Sequence, residues 1–303
     1  MRHPVEFESE GATLRGWYYT PDSLPPYAAV VMAHGFTATV NMVADRYAEA
    51  LRAAGFAVLL YDHRNIGASG GEPRQEVNVW IQARGYRDAV TYLHTRSDIA
   101  LDRIALWGDS NSAMQVTVLG ALERRVAAIV AQIPSCGPQK PPMEPSQDVL
   151  RVMRETFERG DVRGTGETMP VVSIDQIGSP SHLKPLTAFR WFIEYGGRFQ
   201  SNWQNVATRV TPATPVPFNP YLAAPFIKAD ILFLVSPGDE MVMANPEVAR
   251  ATYDLIPSYK EYYEIPGGHF GLLHYPSELF NEASRIQIDF LTRRLLARGT
   301  AHR

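Results

Sequence analysis

Two short apolar runs, separated by a segment with helical spacing, constrain the fold of this chain more than any other feature. The runs are AAVVMAHG and FAVLLYDH, and the segment between them is MVADRYAEALRAAG, which ends in a glycine. Apolar runs without polar alternation are typical of strands that are buried on both faces, as in a parallel sheet covered by helices. The pattern therefore predicts a strand–helix–strand unit.

The alternation of strands and helices continues along the chain. A helix is predicted at residues 77–96, and it is followed by the strand RIALWG, a helix from about residue 111 and the strand VAAIVAQIP. Further on, the run DILFLVSPGDE precedes a helix at residues 245–256, the strand KEYYEIPGGHF and the C-terminal helix EASRIQIDFLTRRLLARG. Partial alternation around Glu10 and Gly11 predicts two antiparallel strands at the start. Together these elements predict an α/β fold with an eight-stranded, mostly parallel sheet flanked by helices.

Residues 136–225 interrupt this alternation. The segment holds about half of the 23 prolines of the chain, together with the aromatic residues Phe189, Trp191, Phe192, Tyr195, Phe199 and Trp203. We predict that it is an inserted cap, and that residues 1–135 and 226–303 form the core domain.

Composition limits the classes of partner. The 303 residues are 45% hydrophobic and have a formal net charge of -3, which suits a large core and leaves no basic surface for nucleic acid. The single cysteine excludes an internal disulfide. The polar N-terminus lacks a signal-peptide core, and no run approaches the roughly 18 apolar residues of a membrane span. We expect a cytoplasmic protein with a small-molecule partner and no nucleic-acid or membrane partner, and leave homodimer formation open.

The turn after the strand RIALWG reads Gly108-Asp109-Ser110-Asn111-Ser112. A strand–turn–helix segment of this kind presents a nucleophilic serine, and small residues must stand two positions before and after it. Gly108 and Ser112 meet that requirement, and the helix N-terminus favours developing negative charge. The other interpretation is helix capping, since Ser, Asp and Asn are preferred N-cap residues. We predict that Ser110 is the nucleophile and that the Ser112 hydroxyl bonds to backbone.

A serine nucleophile needs a base, and the base needs a carboxylate that fixes its tautomer. Asp239 follows the buried run ILFLV, and His269 follows YYEIP in a glycine-rich loop. Both lie beyond the carboxyl ends of predicted parallel strands, where open sheets place their sites. Asp239 is preferred over Glu240, which should point elsewhere from the same loop, and His269 over His274, which belongs to a later turn.

The remaining candidate groups have supporting roles or none. Phe36 and Asn111 are the predicted backbone N–H donors to an oxyanion, because Phe36 follows the third strand and Asn111 follows the nucleophile. His34 and His63 lack a ligand cluster at metal-binding spacing, and we expect no metal and no cofactor. Cys136 is expected to be a small buried residue.

The motifs AHGF, YDHRNIGASGG, LWGDSNSA, SPGDEM and PGGHFGLL occur in this order, and with them the chain resembles the α/β-hydrolase superfamily over nearly its whole length. The stretches YDHRNIGASGGEPRQE and GGHFGLLHYPSELF are more narrowly similar to the dienelactone-hydrolase-like group, which includes fungal polyketide transferases. In that group two glycines usually end the serine turn, whereas Ala113 and Met114 stand here. We expect Met114 to narrow the pocket.

The resemblance implies a serine hydrolase that cleaves a carboxylic ester or thioester of a small, largely hydrophobic substrate through an acyl-enzyme. The alternatives are an acyltransferase with an alcohol or amine acceptor and a non-catalytic binding protein on the same fold. In the predicted cap, we expect most of the aromatic residues to pack against the core and one or two to line the pocket. The candidates are Trp191, Phe192, Tyr195 and Trp203.

Overall fold

The computed structural model describes residues 1–297, and its strands form two sheets. The strands are β1 Arg2–Ser9, β2 Ala12–Tyr19, β3 Tyr27–Ala33, β4 Ala57–Tyr61, β5 Glu76–Val77, β6 Ile99–Asp109, β7 Ala128–Gln132, β8 Gly166–Met169, β9 Ala207–Val210, β10 Asp230–Val235 and β11 Lys260–Glu264. The large sheet has eight strands in the order β1-β2-β4-β3-β6-β7-β10-β11, and the small one has the order β5-β9-β8.

Helices connect most of these strands. They are α1 Ala44–Ala53, α2 Val79–His94, α3 Ser110–Leu122, α4 Gln147–Arg159, α5 Leu186–Gly196, α6 Pro220–Ala223, α7 Pro246–Asp254, α8 Gly268–Gly271 and α9 Glu278–Leu291, with a 3-10 turn at Ala224–Phe226 and a π-helical turn at Thr292–Leu296. α2 begins two residues later than predicted because the Asn78 side chain accepts from the N–H groups of Trp80 and Ile81 and caps the helix. The predicted C-terminal helix extends to residue 299, and its residues 298 and 299 lie outside the described residues.

The large sheet is antiparallel at one edge and parallel elsewhere. β1 and β2 form a hairpin around Glu10 and Gly11, and β2 is antiparallel to β4. The five remaining pairings, from β4 to β11, are parallel. The predicted eight-stranded, mostly parallel α/β sheet is thus confirmed.

Helices cover both faces of the sheet, so the central strands are buried on both sides. In β3, Val31 and Ala33 pack into one apolar cluster, and Val30 and Met32 pack into the other. Residues of α2 and α3 belong to the first cluster, and residues of α1 and α9 belong to the second. This burial explains why the sequence of β3 has no polar alternation.

The segment between β7 and β10 contains α4, β8, α5, β9 and α6. It is tied to the rest of the molecule by the parallel pairing of β9 with β5. Its helix α5 places Trp191, Phe192 and Tyr195 in the same apolar cluster as Phe270, which lies in α8. No helix within residues 1–297 is both long and apolar enough to cross a membrane.

Candidate active site

Ser110 is the first residue of α3 and directly follows β6. Its φ of 51° lies in the left-handed region, which is strained for a residue with a Cβ atom. The turn is tight, since a Cβ atom at position 108 would lie 2.5 Å from the carbonyl carbon of Ser112. Glycine is therefore required at Gly108, and the turn leaves the Ser110 side chain partly exposed.

The structure brings Ser110, His269 and Asp239 together from three separate segments of the chain, each of which follows a strand of the large sheet. His269 lies in α8 after β11, and its Nε2 atom is 2.9 Å from Ser110 Oγ. Its Nδ1 atom is 2.7 Å from Asp239 Oδ2, beyond the end of β10. The side chains of His269 and Asp239 are 3% and 1% exposed. An ionised carboxylate can only accept a hydrogen bond, so we assign the ring proton to Nδ1 and leave Nε2 free to accept from the Ser110 hydroxyl.

Glu240, the alternative acid, contacts the same loop in a different way. Its Oε2 atom accepts from the backbone N–H of His269 at 2.8 Å, and its Oε1 atom accepts from Thr187 Oγ1 at 2.5 Å. Glu240 therefore joins the His269 loop to the first turn of α5 and does not contact the imidazole ring. Sequence reasoning expected this side chain to point elsewhere but gave it no partner.

The residues of the two predicted oxyanion donors lie close to Ser110. Phe36 and Asn111 line the same cavity as Ser110, and the loop of Phe36 is so close that a Cβ atom at Gly35 would lie 3.0 Å from Ser110 Cβ. The Phe36 N–H has no hydrogen-bond partner within the described chain. Asn111 belongs to the first turn of α3, where backbone N–H groups lack an acceptor in the helix.

Asp109 holds the Phe36 loop against the serine turn. Its Oδ1 atom accepts from the Gly35 N–H at 2.9 Å, and its Oδ2 atom is 2.9 Å from His34 Nδ1. The side chains of His34 and Asp109 are 2% and 1% exposed. Burial lowers the pKa of His34, but the charge and hydrogen bond of Asp109, together with the Met42 carbonyl and Asp62, outweigh burial and raise the pKa. Sequence reasoning missed this pair, although the position of the acid next to Ser110 was a signal.

Ser112 and His63 form a second serine–histidine contact, and this second pair is fully buried. Ser112 Oγ donates to the carbonyl oxygen of His34 at 2.8 Å, as the predicted backbone bond requires, and it is 2.9 Å from His63 Nε2. His63 Nδ1 has no partner among the described atoms, and burial lowers the pKa of His63 to about 3. His63 is therefore neutral, donates to Ser112 through Nε2, and has no carboxylate behind it.

A cavity with an open volume of about 620 Å³ contains Ser110 and His269 in its wall. Most of its other lining residues are apolar, among them Leu183, Trp191, Phe192, Met241, Phe270 and Leu273. Its composition favours an apolar ligand portion.

Two of the expected pocket residues line this cavity, Trp191 and Phe192. The expectation for Tyr195 and Trp203 is corrected, because both pack behind that wall. Tyr195 stacks on Trp191 with ring centroids 5.2 Å apart, and Trp203 lies 5.4 Å from Phe192 and donates from Nε1 to Thr37.

The expectation that Met114 narrows the same pocket is also corrected. Met114 lines an adjacent cavity with an open volume of about 720 Å³, on the side of α2 and β9. Arg209 and Met243 line both cavities. Met114 is separated from the first cavity because it follows Ser110 by one helical turn and points toward α2 and its neighbours.

Other candidate metal-binding or nucleophilic side chains in the described part of the chain are dispersed or buried. Within residues 1–297, no three His, Cys, Asp or Glu side chains come close enough to hold a metal ion. Cys136 is buried, as expected, and burial raises the pKa of its thiol to about 12. The thiolate form of Cys136 is therefore negligible at neutral pH.

The eight-stranded sheet, with a serine, an aspartate and a histidine beyond the ends of β6, β10 and β11, is the arrangement of an α/β-hydrolase. The order of these three residues along the chain is also the one found in that class. The chain belongs to the family described as serine aminopeptidase, S33 (Hydrolase_4), whose model matches residues 25–274.

Named relatives narrow the class of enzyme. The chain is 29% identical over 300 residues to polyketide transferase af380 of Aspergillus fumigatus, with 97% of this chain and 99% of that protein covered. It is 31% identical over 285 residues to thiohydrolase aneE of Aspergillus aculeatus, with 89% and 86% covered. The crystal structure of the α/β-hydrolase GrgF from Penicillium sp. sh18 has the same fold, with a TM-score of 0.73, 24% identity and coverage of 98% and 99%. The resemblance to the α/β-hydrolase superfamily and to fungal polyketide transferases is thus confirmed. The chain is a hydrolase or an acyltransferase.

Proposed function

We propose that this enzyme hydrolyses a carboxylic ester or thioester of a small, largely hydrophobic substrate through an acyl-enzyme on Ser110. The observation that supports the proposal most directly is the pair of contacts made by His269, 2.9 Å to Ser110 Oγ and 2.7 Å to Asp239 Oδ2. These contacts lie in the wall of a mostly apolar cavity. A base held by a buried carboxylate is what a serine hydroxyl needs to become a nucleophile.

In the acylation step, His269 Nε2 takes the hydroxyl proton as Ser110 Oγ attacks the substrate carbonyl carbon. The carbonyl oxygen becomes an oxyanion, which accepts hydrogen bonds from the N–H groups of Phe36 and Asn111. Collapse of this intermediate breaks the C–O or C–S bond, and His269 gives its proton to the departing alcohol or thiol. One oxyanion donor contributes about 10²–10³ in rate in enzymes of this kind.

In the deacylation step, the neutral His269 takes a proton from water, and the water oxygen attacks the acyl carbon. A second oxyanion forms between Phe36 and Asn111, and its collapse releases the carboxylic acid and returns the proton from His269 to Ser110. Asp239 stays ionised throughout and stabilises the imidazolium form of His269.

The cap and pocket assignments are part of the same proposal. We infer that residues 136–225 form the cap and that residues 1–135 and 226–303 form the core, of which residues 298–303 lie outside the described residues. Leu183, Trp191 and Phe192 support this assignment, since they come from that segment and line the cavity with Ser110. The expected substrate portion at this wall is hydrophobic.

Transfer of the acyl group to an alcohol or amine is the second candidate function. The similarity to polyketide transferase af380 favours it, and it needs only that another acceptor take the place of water at the acyl-enzyme. Product analysis with and without an added alcohol or amine separates the two: free acid alone indicates hydrolysis, and a new ester or amide indicates transfer.

Labelling with a fluorophosphonate probe tests the nucleophile and separates both enzymes from a non-catalytic binding protein. The wild-type protein and the Ser112→Ala variant should take up the label, because the Ser112 hydroxyl is buried and held by His34 and His63. Ser110→Ala should lose the label and nearly all ester turnover, a loss of about 10⁴–10⁶. Labelling of Ser110→Ala, or none in folded Ser112→Ala, would refute the assignment.

A further inference from the structure

We propose that Arg209 binds an anionic group of the substrate, so that the enzyme favours an ester or thioester bearing a carboxylate or a phosphate. This inference rests on the proposed function, because it concerns the same cavity. It adds the chemical class of a second substrate group to the hydrophobic portion that the cavity wall already favours.

Arg209 occupies a position between the two cavities. It lies in β9, opposite Val77 of β5 and Glu167 of β8. Its side chain lines the cavity that contains Ser110 and His269, and it also lines the adjacent cavity of about 720 Å³. A group bound by Arg209 is therefore within the space that a substrate at Ser110 would occupy.

The guanidinium of Arg209 has no ion pair and no hydrogen bond to any described residue. Glu167 is its direct neighbour across the β8–β9 pair, but Glu167 is exposed and forms no ion pair with it. Asp109, the one acid that the structure describes in the wall of the Ser110 cavity, already accepts from Gly35 and contacts His34. No carboxylate of the described chain therefore neutralises Arg209.

The surroundings of Arg209 make an anionic ligand favourable. Arg209 is exposed and lines both cavities, while the protein around it lowers its pKa by desolvation. An arginine remains charged at neutral pH even so. A guanidinium with reduced hydration and no partner gains a strong, paired hydrogen-bonding contact when a carboxylate or phosphate binds.

The anionic group has two chemical sources, the acyl portion and the leaving group. Because Arg209 and Met243 line both cavities, either portion of a substrate on Ser110 could extend toward the guanidinium. A carboxylate at the far end of the acyl chain would come from a dicarboxylic acid. A phosphate would come from a phosphate-bearing thiol such as coenzyme A.

Matched substrates distinguish these sources. The first arm compares N-acetylcysteamine thioesters of dicarboxylic acids with three to eight carbons against the corresponding terminal carboxamides. The second arm compares one neutral acyl group on coenzyme A and on N-acetylcysteamine. In at least one arm, kcat/KM of the wild-type enzyme should favour the anionic member by about tenfold or more, and raising the salt concentration should reduce the preference.

Variants at position 209 identify the cause of that preference. Arg209→Gln should abolish the preference, because it lowers kcat/KM for the anionic members about tenfold more than for the neutral members, and Arg209→Lys should keep part of it. Arg190→Gln is the matched control, since it removes the same charge from an exposed residue of α5 that lines neither cavity. No preference in either arm, or a preference that survives Arg209→Gln, would overturn the inference. Absence of turnover with every substrate would instead contradict the proposed function.

Discussion

Ser110 and Ser112 stand two positions apart and differ completely in their surroundings. Ser110 is at the left-handed apex of the turn, where its hydroxyl meets His269 at 2.9 Å and the open cavity. Ser112 is one half-turn further into α3, where its hydroxyl is buried and used as a bridge to the carbonyl of His34. Ser110 is the reactive serine because its hydroxyl is accessible from the cavity and because its histidine, His269, contacts a carboxylate. The histidine that contacts Ser112 has no such carboxylate.

Exchange of Asp239 for asparagine tests the role of that carboxylate. An asparagine amide that donates to Nδ1 of His269 would move the ring proton to Nε2, so that Nε2 could no longer accept from Ser110. We expect Asp239→Asn to lower kcat/KM for an ester by about 10⁴, the precedent from serine proteases. The measurement is steady-state hydrolysis, with thermal unfolding as a check that the variant is folded.

Glu240→Gln is the control for Asp239→Asn, because it makes the same chemical change one residue along the chain. The amide oxygen of glutamine can still accept from the backbone N–H of His269, the contact that Glu240 makes at 2.8 Å. We therefore expect a reduction of less than about tenfold in kcat/KM. Equal losses in the two variants would show that Asp239 is not the partner of the imidazole.

At the scale of elements, the site is a meeting point of loops that follow β3, β6, β10 and β11. The loop after β3 is fixed by Asp109 from the end of β6, and the His269 loop is joined to α5 by Glu240 and Thr187. α5 thus supplies both a support for the His269 loop and, with Trp191 and Phe192, part of the cavity wall. The shape of the pocket therefore depends on how α5 packs against the rest of the molecule.

Chain-length selectivity tests the contribution of α5. Each additional methylene that enters the apolar cavity stabilises the bound state by about 0.8 kcal/mol, so kcat/KM should rise several-fold per carbon from acetate toward hexanoate until the cavity is filled. Phe192→Ala should move the optimum to longer acyl or alcohol chains, because it removes a ring from the wall. The measurement is kcat/KM over a graded series of esters.

Ile193→Ala provides the comparison for Phe192→Ala. Ile193 is the next residue of α5, is 46% exposed and does not line the cavity, so its variant should keep the wild-type optimum. An unchanged optimum in Phe192→Ala, or a flat profile in the wild-type enzyme, would contradict the assignment of this helix to the substrate site.

At the scale of the whole molecule, the sequence is sufficient to predict the large sheet and the order of the site residues along the chain. Strands that are covered on both faces must be apolar at every position, and β3 and β4 therefore stand out from the helices. Parallel strands end at one edge of the sheet, which makes Ser110, Asp239 and His269 neighbours although they are far apart in sequence.

The details of the pocket depend on packing that local sequence does not contain. Trp191 and Phe192 face the cavity while Tyr195 lies behind them, and this follows from the rotation of α5 against α8. Arg209 reaches the cavity because β9 pairs with β5, more than a hundred residues earlier in the chain. Neither contact has a periodic signal in the sequence.

Buried titratable side chains make the stability of the whole fold depend on pH. His63 is buried, and burial lowers its pKa to about 3, so the folded protein keeps it neutral where the unfolded chain, with an ordinary histidine pKa of about 6.5, binds a proton. The stability that neutral His63 contributes is complete above pH 6.5 and is lost as the pH falls toward 3. The loss is at most about 1.4 kcal/mol per pH unit.

We expect the urea midpoint of the wild-type protein to fall more steeply between pH 7 and pH 4.5 than that of His63→Gln, because glutamine binds no proton in either state. Asp109 raises the pKa of His34, so His34 changes the stability with pH in the opposite direction to His63. Both proteins contain His34, and its contribution therefore cancels in the comparison. His3→Gln is the control, since His3 is exposed on β1 and its variant should follow the wild-type profile. Parallel profiles for the wild-type protein and His63→Gln would show that His63 is not held neutral by the fold.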